Sequence, residues 1–153
     1  MDKVKKLKMI SANCRGLADR NKRREVLNLY RKKSYSVICL QDIHLAKDDT
    51  DKMRNEWGLQ SLFAPFKSNA RGVAILFNKD MDLTINRSIN DENGNFIITD
   101  ITVEDKRLTL AIVYGPNSDD PNFYLKLFEH INSFENESVI IVGDWNLVLD
   151  PPS

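Results

Sequence analysis

Long apolar runs and cysteines are scarce in this sequence. No apolar run approaches the roughly 18 residues of a membrane-spanning helix, so no such helix is expected. The basic stretch at the N-terminus lacks an apolar core, which argues against a secretory signal. The two cysteines, Cys14 and Cys39, are expected to be free thiols in a reducing compartment. A disulfide between them, which would require neighbouring strands, is the less favoured alternative.

The formal net charge is zero, because 22 Lys/Arg residues balance 22 Asp/Glu residues. The charges are unevenly distributed, however: residues 1–33 hold 12 basic and 3 acidic side chains. Such a basic segment either contacts phosphates or forms a solvated helix face, and the solvated face is the favoured interpretation. The sequence contains no internal repeat, linker or low-complexity segment. Its 153 residues predict one domain with a substantial core.

Apolar periodicity predicts alternating elements at first and consecutive strands afterwards. The predicted strands cover 7–14, 35–41, 59–66, 72–78, 83–89, 96–103, 108–114 and 139–142. The predicted helices cover 20–33, 48–57 and a segment following Asp120; Asp19 is the predicted N-cap of the first, and Asp120, followed by proline, that of the third. The β-α-β-α opening indicates a sheet covered by helices. Residues 72–114 resemble an antiparallel meander, with a hairpin turn at Asn93-Gly94. The predicted class is therefore α/β (α+β), a mixed β-sheet flanked by helices.

The most informative stretch runs from Val139 to Asn146. Its four consecutive β-branched residues are typical of a strand buried on both faces. The strand stops at Gly143, and Asp144 and Asn146 follow at once. These polar groups would lie at the rim of a sheet, as in an active site. An ordinary Asp/Asn turn is the alternative.

Other predicted strands also end in polar groups, and the full set is Asn13, Asp42, Tyr114, Asn117, Asp144 and Asn146. If the strand ends share a rim, two carboxylates and several other oxygen donors form one cluster. Such a hard site suits Mg²⁺ better than zinc. A magnesium site of this kind completes its shell with water and substrate phosphate, which points to phosphoester chemistry. By contrast, His130 is predicted to be an edge or surface residue.

Five short motifs occur in an order that resembles a known superfamily. They are I-S-A-N-C-R-G at 10–16, V-I-C-L-Q-D-I-H at 37–44, R-G-V-A-I-L-F at 71–77, V-Y-G-P-N at 113–117 and V-G-D-W-N at 142–146. Together they resemble the N-terminal part of the exonuclease–endonuclease–phosphatase superfamily. The third and fourth motifs are most similar to endonuclease domains of non-LTR (LINE-type) retrotransposons. Such a domain nicks target DNA and leaves a 3′-hydroxyl that primes reverse transcription.

The resemblance implies a role for each matching residue. Asn13 would organise the metal site, and Asp42 would be the acidic ligand of Mg²⁺, with Mn²⁺ as an alternative. Tyr114 would donate to the scissile phosphate. Asp144 would orient or deprotonate the attacking water, and Asn146 would hold the phosphate.

The resemblance also suggests contacts outside this catalytic set. Asn117 and Arg15 would contact DNA. His44 would lie either at the cleft or in a surface loop. The resemblance further implies an intracellular protein, nuclear at its site of action.

Two departures from the family pattern affect these expectations. The family usually has Glu at the position of Asp42; Asp is one methylene shorter than Glu, and Mg²⁺ demands near-ideal coordination geometry. The family's C-terminal part, with its Ser-Asp-His segment, is not matched, and His44 and His130 occupy other positions. Residues 1–153 are therefore interpreted as the N-terminal part of one domain, with weak or absent activity in isolation.

The implied family fold is a four-layer α/β-sandwich in which each half supplies most of one sheet. One half alone would then expose an apolar sheet face, available to a homodimer or to a complementing C-terminal half. Two other functions stay open at this point. One is a non-catalytic nucleic-acid-binding or assembly module that retains the nuclease fold. The other is a phosphatase acting on a small phosphoester.

Overall fold

The computed structural model describes residues 7–79 and 82–146, which contain eight strands and three helices. In chain order they are β1 (Met9–Asn13), α1 (Arg20–Lys32), β2 (Val37–Gln41), α2 (Lys47–Trp57), β3 (Ser61–Ala64), β4 (Val73–Phe77), β5 (Leu83–Asn90), β6 (Phe96–Val103), β7 (Lys106–Tyr114), α3 (Pro121–Ser133) and β8 (Val139–Asp144). None of the described helices is long and apolar enough to cross a membrane.

The strands form two four-stranded mixed sheets. The first has the order β1-β2-β4-β3 and the second β5-β6-β7-β8. The pairs β1–β2 and β7–β8 are parallel, because α1 and α3 carry the chain back across each sheet. The remaining pairs are antiparallel. The predicted mixed α/β class is confirmed.

The two sheets pack face to face, and helices cover their outer faces. Val37 and Ile75 of the first sheet share an apolar cluster with Ile101 and Ile112 of the second. Residues of α1 and α2, including Leu27, form a second cluster on the outer face of the first sheet. Helix α3 packs in a third cluster on the outer face of the second sheet. The described residues thus form all four layers of the sandwich.

This arrangement corrects the expected division of the sheets between two halves of a domain. Both sheets come from this chain, so neither inner face is left open. The expectation of an exposed apolar sheet face is therefore wrong. Within the described residues, each sheet has two edge strands, β1 and β3 in the first and β5 and β8 in the second. Of these, β1 and β8 lie next to each other, as do β3 and β5.

Two other expectations about strands also need correction. The predicted meander begins only at β5, because β4 pairs with β2 and β3 in the first sheet. Residues of β8 are half-buried or exposed rather than buried on both faces, since β8 is an edge strand. A continuous β-branched run does not distinguish an edge strand from a central one. The predicted β5–β6 hairpin is confirmed.

Local signals determine the helix ends as expected. Asp19 Oδ1 accepts the amide proton of Asn21 at 2.9 Å and begins α1. Asp120 Oδ1 accepts from the amide of Phe123 at 3.2 Å and begins α3, with proline at its first position. His130 is exposed on α3, as predicted.

The cysteines are free thiols, as expected. Cys14 contacts the outer cluster of the first sheet, whereas Cys39 lies in the cluster between the sheets. Because the two thiols lie on opposite faces of the first sheet, they cannot form a disulfide. Burial raises the pKa of each thiol to about 12, so both stay protonated at neutral pH.

Buried Arg23 links α1 to α2. Its Nε donates to Glu56 Oε1 at 2.8 Å, and its Nη1 donates to the carbonyl of Leu17 at 3.0 Å. Only 6% of Arg23 is exposed. Its loss would leave Glu56 without this partner and the Leu17 carbonyl without this donor.

We expect Arg23→Ala to lower the free energy of unfolding by about 2–4 kcal/mol, because it breaks a partly buried ion pair. Arg24→Ala changes the exposed neighbour in the same helix and should cost less than about 0.5 kcal/mol. Urea unfolding of both variants measures the difference. Equal losses would show that Arg23 contributes no specific contact.

Candidate active site at the strand ends

Several loops of the first sheet are joined by backbone hydrogen bonds at one end of the molecule. Gly16 N donates to Asp42 O at 2.8 Å, so the loop after β1 is bound to the loop after β2. His44 N in turn donates to Arg71 O at 2.9 Å. Because β4 is antiparallel to β2, its first residues lie at the same end as the last residues of β2.

The same line of hydrogen bonds continues into the second sheet. Gly72 N donates to Gly94 O at 3.1 Å, which joins the start of β4 to the β5–β6 turn. Tyr114 N donates to Asn95 O at 2.6 Å, and Asn95 Nδ2 donates to Tyr114 O at 2.7 Å. These contacts hold the loops of both sheets in one rim, hereafter the strand-end rim.

The rim requires glycine where the two sheets meet. Gly94 has φ +69°, and a Cβ there would lie 2.9 Å from Gly72 N and 2.9 Å from Phe66 Cβ. Any larger residue would push the β5–β6 turn away from the start of β4. Backbone contact between the sheets therefore depends on the absence of a side chain at this position.

Backbone strain is concentrated at the same rim. Eight described residues other than glycine have positive φ. Five of them belong to the loops of the rim: Arg15, Asp42, His44, Arg71 and Asn146. Each such residue costs free energy that its surroundings must offset, and such residues cluster at functional sites. This observation marks the rim as a candidate site independently of any resemblance.

Tyr114 lies at the electrostatic centre of the rim. Burial raises the pKa of its phenol, and the negative charges of Asp42 and Asp144 raise it further. The side chain of Asn146 and the positive charge of Arg71 act in the opposite direction. All four side chains are therefore close enough to Tyr114 to influence its proton. The net effect keeps the phenol protonated at neutral pH, available as a hydrogen-bond donor.

Asp42 is held by a histidine two residues further along the chain. His44 Nε2 lies 2.5 Å from Asp42 Oδ1, and both side chains are largely buried. The predicted choice for His44 was between the cleft and a surface loop. In the structure, its ring is turned toward Asp42 and packs against Gly16.

Asp144 ends β8 directly beside Tyr114, its partner in the parallel β7–β8 register. Its Oδ1 accepts from the amide of Asn146 at 3.0 Å. Asn146 Nδ2 donates to Gly115 O at 2.6 Å, so this side chain is fixed against the loop after β7. Asp144 and Asn146 thus face the phenol from the β8 side.

The remaining predicted residues, Asn13, Arg15 and Asn117, have no described contact with Tyr114. Asn13 ends β1 beside Gln41, the residue that precedes Asp42, and its Oδ1 accepts from the amide of Arg15 at 3.1 Å. Arg15 is exposed in the same loop. Asn117 is exposed beyond β7, and no described contact joins it to the cluster.

Arg71 is the rim residue that sequence reasoning missed. Its guanidinium lies 4.7 Å from the centre of the Phe66 ring and lowers the pKa of Tyr114. The prediction considered only the residues that follow strands. An antiparallel strand brings its first residues to the rim instead, so the Arg71-Gly72 pair before β4 was the available signal.

The donor set of the rim suits a magnesium ion with few protein ligands. Asp42 provides a carboxylate and Asn13 an amide oxygen at the ends of neighbouring strands. Among residues 7–79 and 82–146, no three His, Cys, Asp or Glu side chains come together as a metal cluster. Zinc sites need such a cluster. Mg²⁺ is commonly held by one or two carboxylates, water and substrate phosphate, so these residues fit it.

The convergence of charges on Tyr114 can be tested without any substrate. We expect Asp42→Asn to lower the pKa of Tyr114, because it removes a nearby negative charge. Arg71→Ala should raise the same pKa. The absorbance of the phenolate during alkaline titration, corrected with Tyr114→Phe, measures both shifts. Asp51→Asn on exposed α2 is the control; an equal shift in it would show that Asp42 is not near the phenol.

A family model described as the endonuclease/exonuclease/phosphatase family matches residues 10–153. Similar solved structures include a 3′ phosphatase, NExo, from Neisseria bound to product DNA hairpin, with 20% identity and a TM-score of 0.63. That match covers 93% of this chain and 58% of NExo. An AP endonuclease from Archaeoglobus fulgidus has 17% identity and a TM-score of 0.64, with 95% and 60% covered.

The endonuclease domain of TRAS1, a telomere-specific non-LTR retrotransposon, is also similar in structure. It has 14% identity and a TM-score of 0.64, and the match covers 94% of this chain and 61% of that domain. The chain thus spans about three fifths of the length of these structures. At these identities the structures show a common fold, and the family match extends over nearly the whole sequence. The chain belongs to the endonuclease/exonuclease/phosphatase family.

Proposed function

We propose that the strand-end rim is a Mg²⁺-dependent site for hydrolysis of phosphodiester bonds in DNA. The observation that carries the proposal is the convergence of Asp42, Asp144, Asn146 and Arg71 on the phenol of Tyr114. Acidic groups and phosphate-binding donors thus lie around one point. Phosphodiester hydrolysis requires this combination, since the attacking water must be oriented while charge develops on the phosphate.

Each residue of the rim has a chemical role in this proposal. Asp144 accepts a proton from the attacking water or orients it. The phenol of Tyr114 donates a hydrogen bond to an oxygen of the scissile phosphate, because its raised pKa keeps it protonated. Arg71 offers its guanidinium to the phosphate. Asn146 contacts the phosphate from a position fixed by the hydrogen bond of its Nδ2 to Gly115 O.

Asn13 and Asp42 are the residues that would hold Mg²⁺. When bound, the ion neutralises negative charge on the phosphoryl oxygens. His44 keeps one oxygen of Asp42 in a fixed orientation. We infer that this contact compensates in part for the shorter side chain of Asp relative to the usual Glu, because it limits the positions that the carboxylate can take.

DNA as the substrate is supported by two of the similar structures, one bound to a DNA hairpin and one an endonuclease domain of a retrotransposon. We propose that nicking leaves a 3′-hydroxyl from which reverse transcription begins, in the nucleus. The R-G-V-A-I-L and Y-G-P-N motifs support the retrotransposon type. In that interpretation, Arg15 and Asn117 are exposed where flanking DNA would pass.

A partner that completes the domain is also part of the proposal. Because the inner faces of both sheets are covered, such a partner would pair with edge strands, and we infer that it uses the neighbouring edges β1 and β8 rather than β3 and β5. Residues of β8 are half-buried, and Val139 is 43% exposed. A second copy or a C-terminal half would serve, and the molar mass in solution distinguishes the two when this chain is studied alone.

A non-catalytic nucleic-acid-binding module is the second candidate. It is favoured by the close Asp42–His44 contact, which occupies one oxygen of the proposed metal ligand. A module of this kind would bind DNA without any requirement for a divalent ion. A phosphatase acting on a small phosphoester would instead release phosphate and leave DNA intact.

Plasmid nicking tests the proposed reaction. We expect slow nicking in Mg²⁺ and none in EDTA, with a loss of about 100-fold or more in Asp144→Ala, since a general base contributes roughly that factor. Asp119→Ala, an exposed carboxylate in the loop before α3, is the matched control. A DNA polymerase should extend the nick directly if a 3′-hydroxyl is present.

Two results would reject the proposed nuclease activity. One is equal nicking by the wild type and Asp144→Ala, which indicates a contaminant. The other is no nicking by a folded chain that binds DNA, which favours the binding module. Release of phosphate from a small ester without nicking would support the phosphatase.

The proposed contact of Arg71 with the phosphate can be tested by comparing Arg71 with its neighbour Lys67. We expect Arg71→Ala to lower kcat/KM for nicking by about 10- to 100-fold, the loss of one charged hydrogen bond to phosphate. Lys67→Ala is the matched control, because Lys67 carries the same charge and also lies over the Phe66 ring, at 4.9 Å. A similar loss in both variants would mean that only the general positive charge of this hairpin matters.

A further inference from the structure

A second basic feature lies on the outside of the molecule, between α1 and the end of α2. Arg20, Arg24 and Arg31 line a concavity of about 240 Å³ with Leu27 and Glu56. We call the three arginines the α1 arginine row. The rim mechanism uses none of them.

The row carries net positive charge that its surroundings do not neutralise. Glu56 is the acidic residue of the concavity, and its carboxylate is already paired with buried Arg23 at 2.8 Å. Within the described residues, Arg20 and Arg24 make no ion pair and no side-chain hydrogen bond. An anionic ligand is the natural partner of such a surface.

The position of these charges is unfavourable for the helix itself. The first turn of α1 contains no acidic residue, and Arg20, Lys22, Arg23 and Arg24 are near its N-terminus. Basic groups there repel the positive end of the helix dipole, by about 0.3–1 kcal/mol each. Arg23 is explained by its contact with Glu56, whereas Arg20 and Arg24 have no such structural reason. The N-cap carboxylate of Asp19 offsets part of this cost, but the two arginines themselves make no structural contact, which points to a binding role.

Spacing along the helix indicates the kind of anion. The three arginines lie 4 and 7 residues apart in the sequence. At about 100° and 1.5 Å per residue, they share one side of the helix over a length of roughly 16 Å. One phosphate group is too small to reach all three. A polymer with regularly spaced phosphates can contact the whole row.

Arg31 is already held in position for such a contact. Its Nη2 donates to the carbonyls of Glu56 and Trp57, the latter at 3.0 Å. Its guanidinium also lies 5.2 Å from the centre of the Trp57 ring. Neither contact removes its charge. Less side-chain entropy is therefore lost when an anion binds.

The row leads away from the strand-end rim. Lys22 Nζ donates to Cys14 O at 2.8 Å, so the start of α1 touches the loop after β1. The helix then returns along the outside of the first sheet, because it connects two parallel strands. The row therefore begins near the rim and ends at the opposite side of the sheet.

We propose that the α1 arginine row binds the phosphodiester backbone of a nucleic acid, independently of sequence and of the strand-end site. The row would hold a nucleic-acid segment on the outside of the first sheet while the rim is free or occupied. This inference does not rest on the proposed nuclease activity, because it concerns different residues and requires no metal.

Binding of the 153-residue chain to a labelled 20-base-pair duplex, in EDTA and at several salt concentrations, tests the inference. The double variant Arg20→Ala/Arg24→Ala should bind at least about 10-fold more weakly. The slope of log K against log salt should become shallower by about 1.8, since each duplex phosphate contact contributes about 0.9. Single-stranded DNA and RNA of the same sequence, where each contact contributes about 0.7, identify the preferred nucleic acid.

Two further double variants separate this site from a general effect of charge. Lys106→Ala/Lys126→Ala removes the same charge from exposed residues on the second-sheet side and should keep the wild-type slope. Arg20→Lys/Arg24→Lys keeps the charge and should retain most of the slope. Circular dichroism verifies that each variant is folded. An unchanged slope in Arg20→Ala/Arg24→Ala, or an equal loss in Lys106→Ala/Lys126→Ala, would overturn the proposal.

Discussion

Face-to-face packing of two sheets is the constraint on which the rest of the structure depends. The inner faces share one apolar cluster, so the strands of both sheets run across the same core. Their ends therefore meet in one rim, where Gly72 N donates to Gly94 O across the two sheets. That contact brings Asp42, which follows β2, and Asp144, which ends β8, close enough to Tyr114 to raise the pKa of its phenol.

The rim combines stored strain with concentrated charge. Five residues with positive φ hold the rim loops, and the core beneath them offsets the cost. Two carboxylates near one phenol are unfavourable by themselves, and Arg71 balances only part of their charge. We propose that a site of this kind receives a cation and a phosphate. Its chemistry follows from the arrangement of the loops rather than from any single residue.

Local signals made much of this fold predictable from the sequence. Asp19 and Asp120 were identified as caps, and the strands were located from their apolar runs. The assignment of β4 to the first sheet was not predictable, because pairing partners depend on tertiary packing. Arg71 was missed for the same reason, since only an antiparallel β4 brings it to the rim. The half-burial of β8 depends on its edge position, which its own residues do not encode.

The central claim is that the rim binds a divalent ion at Asp42 beside Tyr114. Anomalous diffraction from crystals of this chain soaked in Mn²⁺ measures this most directly. The account predicts an anomalous peak within about 2.2 Å of an Asp42 carboxylate oxygen, with Asn13 nearby, and no such peak in Asp42→Ala. Mn²⁺ bound only elsewhere, or a rim left without the ion at saturating concentration, would contradict the account.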